Sequence, residues 1–315
     1  MTMLPTQAYT KNHTVEVILA PFSGGQAKGG VECGPVQLVE AGLPQQLRGL
    51  GWTVDGVDSS LTASFEHLRP EKEEDHGVLK NVKFVASVTE AVHNQVKKAC
   101  SAGKVALTIG GDHSLGMGTV SGSAAVHSNL GVIWVDAHAD INTTESTESG
   151  NLHGCPVSFL MGIGAKLPAF SWLKPCLATN RIVYIGLRDV DAGERKILKE
   201  HNIKAFSMHD VDKHGIGKVV EMALAYLGSN TPIHLSFDVD ALDPSVTPAT
   251  GTPVRGGLTF REGHFICEAV FETGCLVSMD LMEVNPALGS DLASLTQTVN
   301  VGCSLVRTAL GETLL

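Results

Sequence analysis

The sequence predicts an α/β fold, a three-layer αβα arrangement around a mostly parallel central β-sheet, in a single domain spanning residues 1–315. Two observations carry that reading. Short, apolar, β-branched runs recur along the chain, and stretches with helical spacing fall between them, which is the alternation expected of βαβ units. No repeat, low-complexity tract or Pro/Ser-rich linker divides the chain.

In chain order, a first strand is expected at residues 15–20, with shorter candidates near Trp52 and Phe84. Residues 68–76, rich in Glu and Lys, read as a solvated loop. Ser87-Val88-Thr89-Glu90 has the capping-box spacing, and Val92, Val96 and Cys100 then recur at helical intervals, so a helix is expected over 87–101. Strands follow at 105–109, 131–135, 181–187 and 203–208, then a helix at 217–227. A strand at 233–237, a helix at 261–272, a strand at 276–281 and a helix at 295–310 complete the series.

A composition of 43% hydrophobic and 18% charged residues fits a soluble globular chain and excludes a disordered one. The net charge of −10, with no basic run, argues against a nucleic-acid surface and weakly favours a cationic small substrate. Seven cysteines are scattered without a C-x-x-C pair, which fits buried thiols in a reducing compartment. The lead-in, residues 1–14, lacks a targeting pattern and no apolar run reaches membrane-spanning length, so a cytoplasmic location is expected. Gly24-Gly25-Gln26-Ala27-Lys28-Gly29-Gly30 and Gly162-Ile163-Gly164 lack the remainder of any phosphate-binding motif and read as tight turns.

Three of the predicted strands are followed at once by acid-rich clusters: Gly110-Gly111-Asp112-His113-Ser114, Asp136-Ala137-His138-Ala139-Asp140 and Asp238-Val239-Asp240-Ala241-Leu242-Asp243. In open α/β sheets ligands bind beyond the carboxyl ends of the strands, so the clusters could converge. Carboxylates gathered there would repel one another unless cations held them. Asp136, His138 and Asp140 alternate, as do Asp238 and Asp240, so each set would point one way from an extended segment. With His113 they offer four carboxylates, two imidazoles and no sulfur, a set that favours Mn(II) over Fe(II), Co(II), Mg(II) or Zn(II) and could hold two ions. Asp112, Ser114 and Asp243 read instead as cap and turn residues.

In this order, the three clusters resemble the signatures of the ureohydrolase family, and the likeness extends nearly end to end. Residues 20–26, 149–154, 186–191, 248–253 and 282–286 bring it nearest the arginases within that family. The resemblance implies one manganese held by His113, Asp136, Asp140 and Asp238, and a second by His138, Asp136, Asp238 and Asp240. It implies hydrolysis of L-arginine to L-ornithine and urea by a metal-bridging hydroxide. Asp140 would bond that hydroxide, His153 would shuttle protons and Glu283 would pair with the guanidinium. Asp191 and Glu194 match the substrate ammonium side, Asn142, Ser149 and Asn151 its carboxylate side, and Thr252 a position near the guanidinium. A homotrimer is also implied, although the sequence ends at Leu315 without the long tail by which some members grip a neighbour. Rival readings are an agmatinase or guanidinobutyrase, a one-zinc deacetylase of the same fold, and an inactive regulatory member.

Overall fold

A computed structural model describes residues 7–11, 13–57, 64–74 and 76–313. Residues 1–6 and Asn12 of the lead-in, residues 58–63, Asp75 of the predicted loop and the last two residues lie outside them. Among the described residues eight strands form one sheet: β1 (Thr14–Ala20), β2 (Thr53–Asp55), β3 (Val105–Gly110), β4 (Gly131–Val135), β5 (Ile182–Leu187), β6 (Lys204–Ser207), β7 (Ile233–Asp238) and β8 (Leu276–Met282). Every pairing is parallel, in the order β2-β1-β3-β8-β7-β4-β5-β6. Burial on both faces explains why the central strands read as unbroken apolar runs.

The described helices are α1 (Gly34–Glu40), α2 (Leu43–Gly49), α3 (Val82–Ser101), α4 (Gly116–Ala124), α5 (Pro156–Met161), α6 (Ala192–Glu200), α7 (Met208–His214), α8 (Ile216–Leu227), α9 (Phe260–Glu272) and α10 (Leu292–Ala309). Leu38, Leu47, Val219, Ile266 and Leu305 pack one sheet face with α1, α2 and α8–α10. Residues of α3 join a separate core with Ile18, Ala106 and Met282. No described helix is long and apolar enough to cross a membrane.

Two expectations need correction. Phe84 lies in α3, not in a strand, and that helix begins at Val82, five residues before the Ser87 capping template. The physical reason is a cap from elsewhere: the Glu73 carboxylate, on the supposedly idle loop, accepts the Lys83 and Phe84 amides at 2.9 and 3.0 Å. Val82, Val85, Val88, Val92 and Val96 then continue one buried face. Among helices that the sequence concealed, α4 (GMGTVSGSA) has no apolar stripe because it is buried on nearly all sides. A Cβ at Gly118 would sit 2.4 Å from the Thr89 carbonyl oxygen of α3, so glycine permits the close helix approach.

Candidate metal centre

The four central strands β3, β8, β7 and β4 deliver their carboxyl ends side by side, and each hands over at once to a site residue. After β3, Asp112 caps a short 3-10 turn, accepting the Ser114 amide at 3.0 Å, and this seats His113. After β7, Asp238 caps the turn Val239–Ala241 with Oδ1, accepting Asp240 N at 2.8 Å, while its Oδ2 lies 3.2 Å from His113 Nδ1. Asp136 behaves alike, its Oδ1 accepting His138 N at 2.7 Å. Capping a turn and serving a site are therefore compatible: each carboxylate fixes the backbone through one oxygen and still faces the cluster, Asp238 with Oδ2 and Asp136 with both oxygens.

His113 Nδ1 stands 3.1 Å from Asp136 Oδ2 and 3.3 Å from Asp140 Oδ2. His138 Nδ1 stands 3.3 Å from Asp136 Oδ1 and 3.1 Å from Asp240 Oδ2. Two potential ion-holding groups result, His113/Asp136/Asp140 and Asp136/His138/Asp240, each with donor atoms within 4.8 Å of one another and with Asp136 common to both. Asp140 (φ 50°) and Glu283 (φ 66°) adopt left-handed backbone that side-chain-bearing residues seldom occupy, so the surrounding packing holds both in place.

Burial pushes the Asp140, Asp238 and Asp240 carboxyls upward, and neighbouring carboxylates add to the rise. Burial acts the same way on Asp136, but bonds from His113 and His138 outweigh it and hold that carboxyl low. Both imidazoles are displaced upward: burial opposes their charge, and the surrounding acids overcome it. Such a set shares too few protons among too many acids, and the physical remedy is a divalent cation that displaces protons from it.

Beside the cluster lies a cleft of about 140 Å³. His138, Asp140, Asp238 and Asp240 line it together with Asn142, His153, Asp191, Glu194 and Thr252. Asp191 and Glu194 also form the capping box of α6, so the acidic wall is fixed by a helix start. Burial, chiefly, raises the Glu194 carboxyl to about 7. Asn142 Nδ2 donates to Asp191 Oδ2 at 2.6 Å, and Thr252 Oγ1 to Asp240 Oδ2 at 2.7 Å. Ser149, Asn151 and Glu283 do not line this cleft. The first two sit on the loop joining Asn142 to His153, where Ser149 Oγ accepts Asn151 N at 3.2 Å and Lys80 Nζ donates to Asn151 Oδ1 at 3.2 Å.

Glu283 is buried behind His153, its Oε1 accepting His113 N at 3.0 Å and lying 3.4 Å from His153 Nδ1. Its Oε2 accepts Gln26 Nε2 at 2.7 Å. Burial alone would raise the Glu283 carboxyl, but His153, Gln26 and the His113 amide lower it. In return Glu283 raises the His153 imidazole against the pull of burial. Gln26 escaped the sequence reading because nothing in a glycine-rich turn signals a long-range carboxylate partner. Trp134 and Ser236 were within reach: each precedes a site aspartate by two on its strand and so shares its face. Trp134 stacks on His113 (4.1 Å between centroids, 10° between planes) and donates from Nε1 to Asp136 Oδ2 at 3.0 Å.

A family model described as the Arginase family matches residues 13–311. An arginase of Glaciozyma antarctica is 60% identical over 310 residues, covering 96% of this chain and 89% of that one. A Neurospora crassa arginase is 55% identical, covering 95% and 86% respectively. Among solved structures, an arginase from Bacillus caldovelox superposes with a TM-score of 0.87 at 36% identity, covering 96% of this chain and all of that one. Strand order, clustered acids and end-to-end likeness agree, and the chain belongs to the arginase family.

Proposed function

We propose that this chain, acting as one catalytic domain over residues 1–315, is a manganese-dependent hydrolase converting L-arginine and water to L-ornithine and urea. The observation that carries the reading is the pair of ion-holding groups sharing Asp136 beside a small acid-walled cleft, in a chain of this family. The donors fit the ions: hard oxygens and imidazole nitrogens, no sulfur, and among the described residues no Lys or Arg ion-paired to them. One ion would be held by His113, Asp136, Asp140 and Asp238, the other by His138, Asp136, Asp238 and Asp240. When bound, such a pair lowers the pKa of a shared water and offsets the charge that builds up on attack.

The chain's own groups supply the remainder. Asp140, on the cleft wall, accepts a hydrogen bond from the attacking water and then from the departing amine. That water adds its oxygen to the guanidinium carbon, the bond from this carbon to the nitrogen on the substrate's Cδ breaks, and both water protons end on that nitrogen, one by way of Asp140 and one as the last proton that makes it the ammonium of ornithine. His153 holds that proton: Glu283 engages its Nδ1 and keeps the ring basic, and Nε2 is free to donate. For Glu283 to pair with the guanidinium, the substrate takes over the Oε2 bond that Gln26 makes. Asp191 and Glu194 receive the substrate ammonium, and Asn142, Ser149 and Asn151 its carboxylate. Thr252 orients Asp240. The working assembly is a cytoplasmic homotrimer in this reading.

The test is to strip the full chain with a chelator, restore Mn(II) or Zn(II), count bound metal and assay urea release from arginine and agmatine. Two Mn(II) per chain and preference for arginine are expected. Faster turnover of agmatine, or one zinc per chain with no recovery in Mn(II), overturns the proposal.

A further inference from the structure

A second polar cluster lies sealed beneath the metal centre. His234 and Ser236 on β7 and Asp280 on β8 are each 0% exposed, and Ser236 and Asp280 are register partners. Asp280 Oδ2 accepts from Thr119 Oγ1 at 2.6 Å, from His234 Nε2 at 2.9 Å and from Ser236 Oγ at 3.3 Å. Its Oδ1 has no partner. On the other side, Ser236 Oγ lies 2.8 Å from His113 Nε2. A buried carboxylate with one oxygen unpartnered is costly, and a core of this kind would be easier to build from apolar residues.

The direction of the bonds accounts for it. A carboxylate only accepts, so the Ser236 hydroxyl, having a single hydrogen, points it at Asp280. Ser236 then presents a lone pair to His113, whose Nε2 must be the donor. His113 Nδ1, the nitrogen facing Asp136, Asp140 and Asp238, is thereby the one left to bind a cation. An apolar side chain at position 280 would let the Ser236 hydroxyl turn round and donate to Nε2, which favours the tautomer with hydrogen on Nδ1, whereas an asparagine would keep an accepting oxygen in the place of Oδ2.

We infer that Asp280 is a positioning residue that acts through Ser236 to fix the hydrogen-bond polarity of His113 and so ready its Nδ1 for the metal. The inference rests on the proposed metal reading. Outer partners of this kind govern metal affinity by about 10- to 100-fold.

Mn(II) binding to the full chain, by calorimetry and by spin resonance of free Mn(II), tests it without any assay of turnover. Parent, Asp280→Leu, Ser236→Ala, the double variant and Thr108→Val are compared. Thr108, the register partner of Asp280 on β3, has a buried hydroxyl without a partner, so its valine variant controls for local repacking. Asp280→Leu and Ser236→Ala should each weaken the tighter-binding ion by about tenfold or more, and the double variant should be no weaker than the worse single. Thr108→Val should bind as the parent does. Parental affinity in either single variant, or additive losses in the double, overturns the inference. Should Asp280→Leu fail to fold, Ser236→Ala decides alone, since it breaks the relay to His113 and leaves the carboxylate in place. A parent that binds no Mn(II) instead overturns the metal reading, and this inference with it.

Discussion

Gly25→Ala should be among the most damaging single-methyl additions in the loop of residues 24–30, and Gly29→Ala, four positions on, should be silent. A Cβ at Gly25 would lie 2.5 Å from both Asp112 Oδ1 and Ser114 Oγ, against 3.4 Å for the nearest ordinary contact. Neither neighbour can retreat. Asp112 Oδ2 accepts Gly25 N at 2.8 Å and its Oδ1 accepts Ser114 N, and both side chains are fully buried. Overpacking of this kind costs about 1–3 kcal/mol. Losing the amide bond to a buried carboxylate adds about 1.5–3 kcal/mol, so a total of about 2.5–6 kcal/mol is expected. At Gly29 nothing lies within 4 Å, and the cost should stay within about 0.5 kcal/mol. Urea unfolding midpoints of the two variants and the parent measure the difference directly. Because the Gly25 carbonyl accepts His153 N at 2.9 Å, urea-forming turnover should fall with Gly25→Ala as well. Equal stability of the two variants would refute the reasoning, since it would mean that Asp112 and Ser114 are not fixed.

Three other outcomes are expected. His153→Asn should retain both ions and lower turnover by about 10²-fold or more, with little change in KM; loss of a metal from this variant would show the role to be misassigned. Asp243, whose carboxylate is held down at about 2 by bonds from Ser245, Gly256 and Gly257, stabilises the fold above the ordinary carboxyl pKa, and this is lost as pH falls from about 4 towards 2. Asp243→Asn should therefore cost about 1 kcal/mol at pH 7, after discounting for solvent, and only a small part of that by pH 2; a cost unchanged between these pH values in denaturant titrations would count against it. Of the seven thiols, only Cys33 and Cys176 are exposed, while burial pushes Cys155 up to about 12 and Cys100 and Cys303 up to about 11. Iodoacetamide at pH 8 should label at most those two in the folded protein, as peptide mass spectrometry would read, and modification of Cys155 before unfolding would contradict the packing.

The strands were legible because a parallel sheet covered on both faces needs apolar residues at every position, and such runs stand out in any sequence. Helices with one exposed face, α8 and α9, were legible for the complementary reason: their polar and apolar residues separate at helical spacing. What failed was local grammar applied to non-local solutions. Glu73 caps α3 from ten residues upstream, and the glycines of α4 make sense only against the backbone of α3. The boundary of α10 shows the same limit on a smaller scale, since Asp291 caps it by accepting Ser294 N at 2.7 Å and starts it at Leu292, three residues before the expected start.

By itself the sequence determined the chemistry available at the site. A run of apolar residues ending in acids is costly to bury without a cation, but the facing of those acids comes from turns and not from the expected strand alternation: residues 136–140 lie beyond β4 with Asp140 at φ 50°, and Asp240 sits in the 3-10 turn Val239–Ala241. Tertiary structure alone decided which atoms meet. The strand order puts β8 between β3 and β7, so Glu283, Gln26 and His153, separated by more than a hundred residues, share one set of hydrogen bonds. The same order lays Asp280 beside Ser236 beneath His113. Sheet order is a long-range property set by how the helices cover the two faces, and no local window of residues contains it.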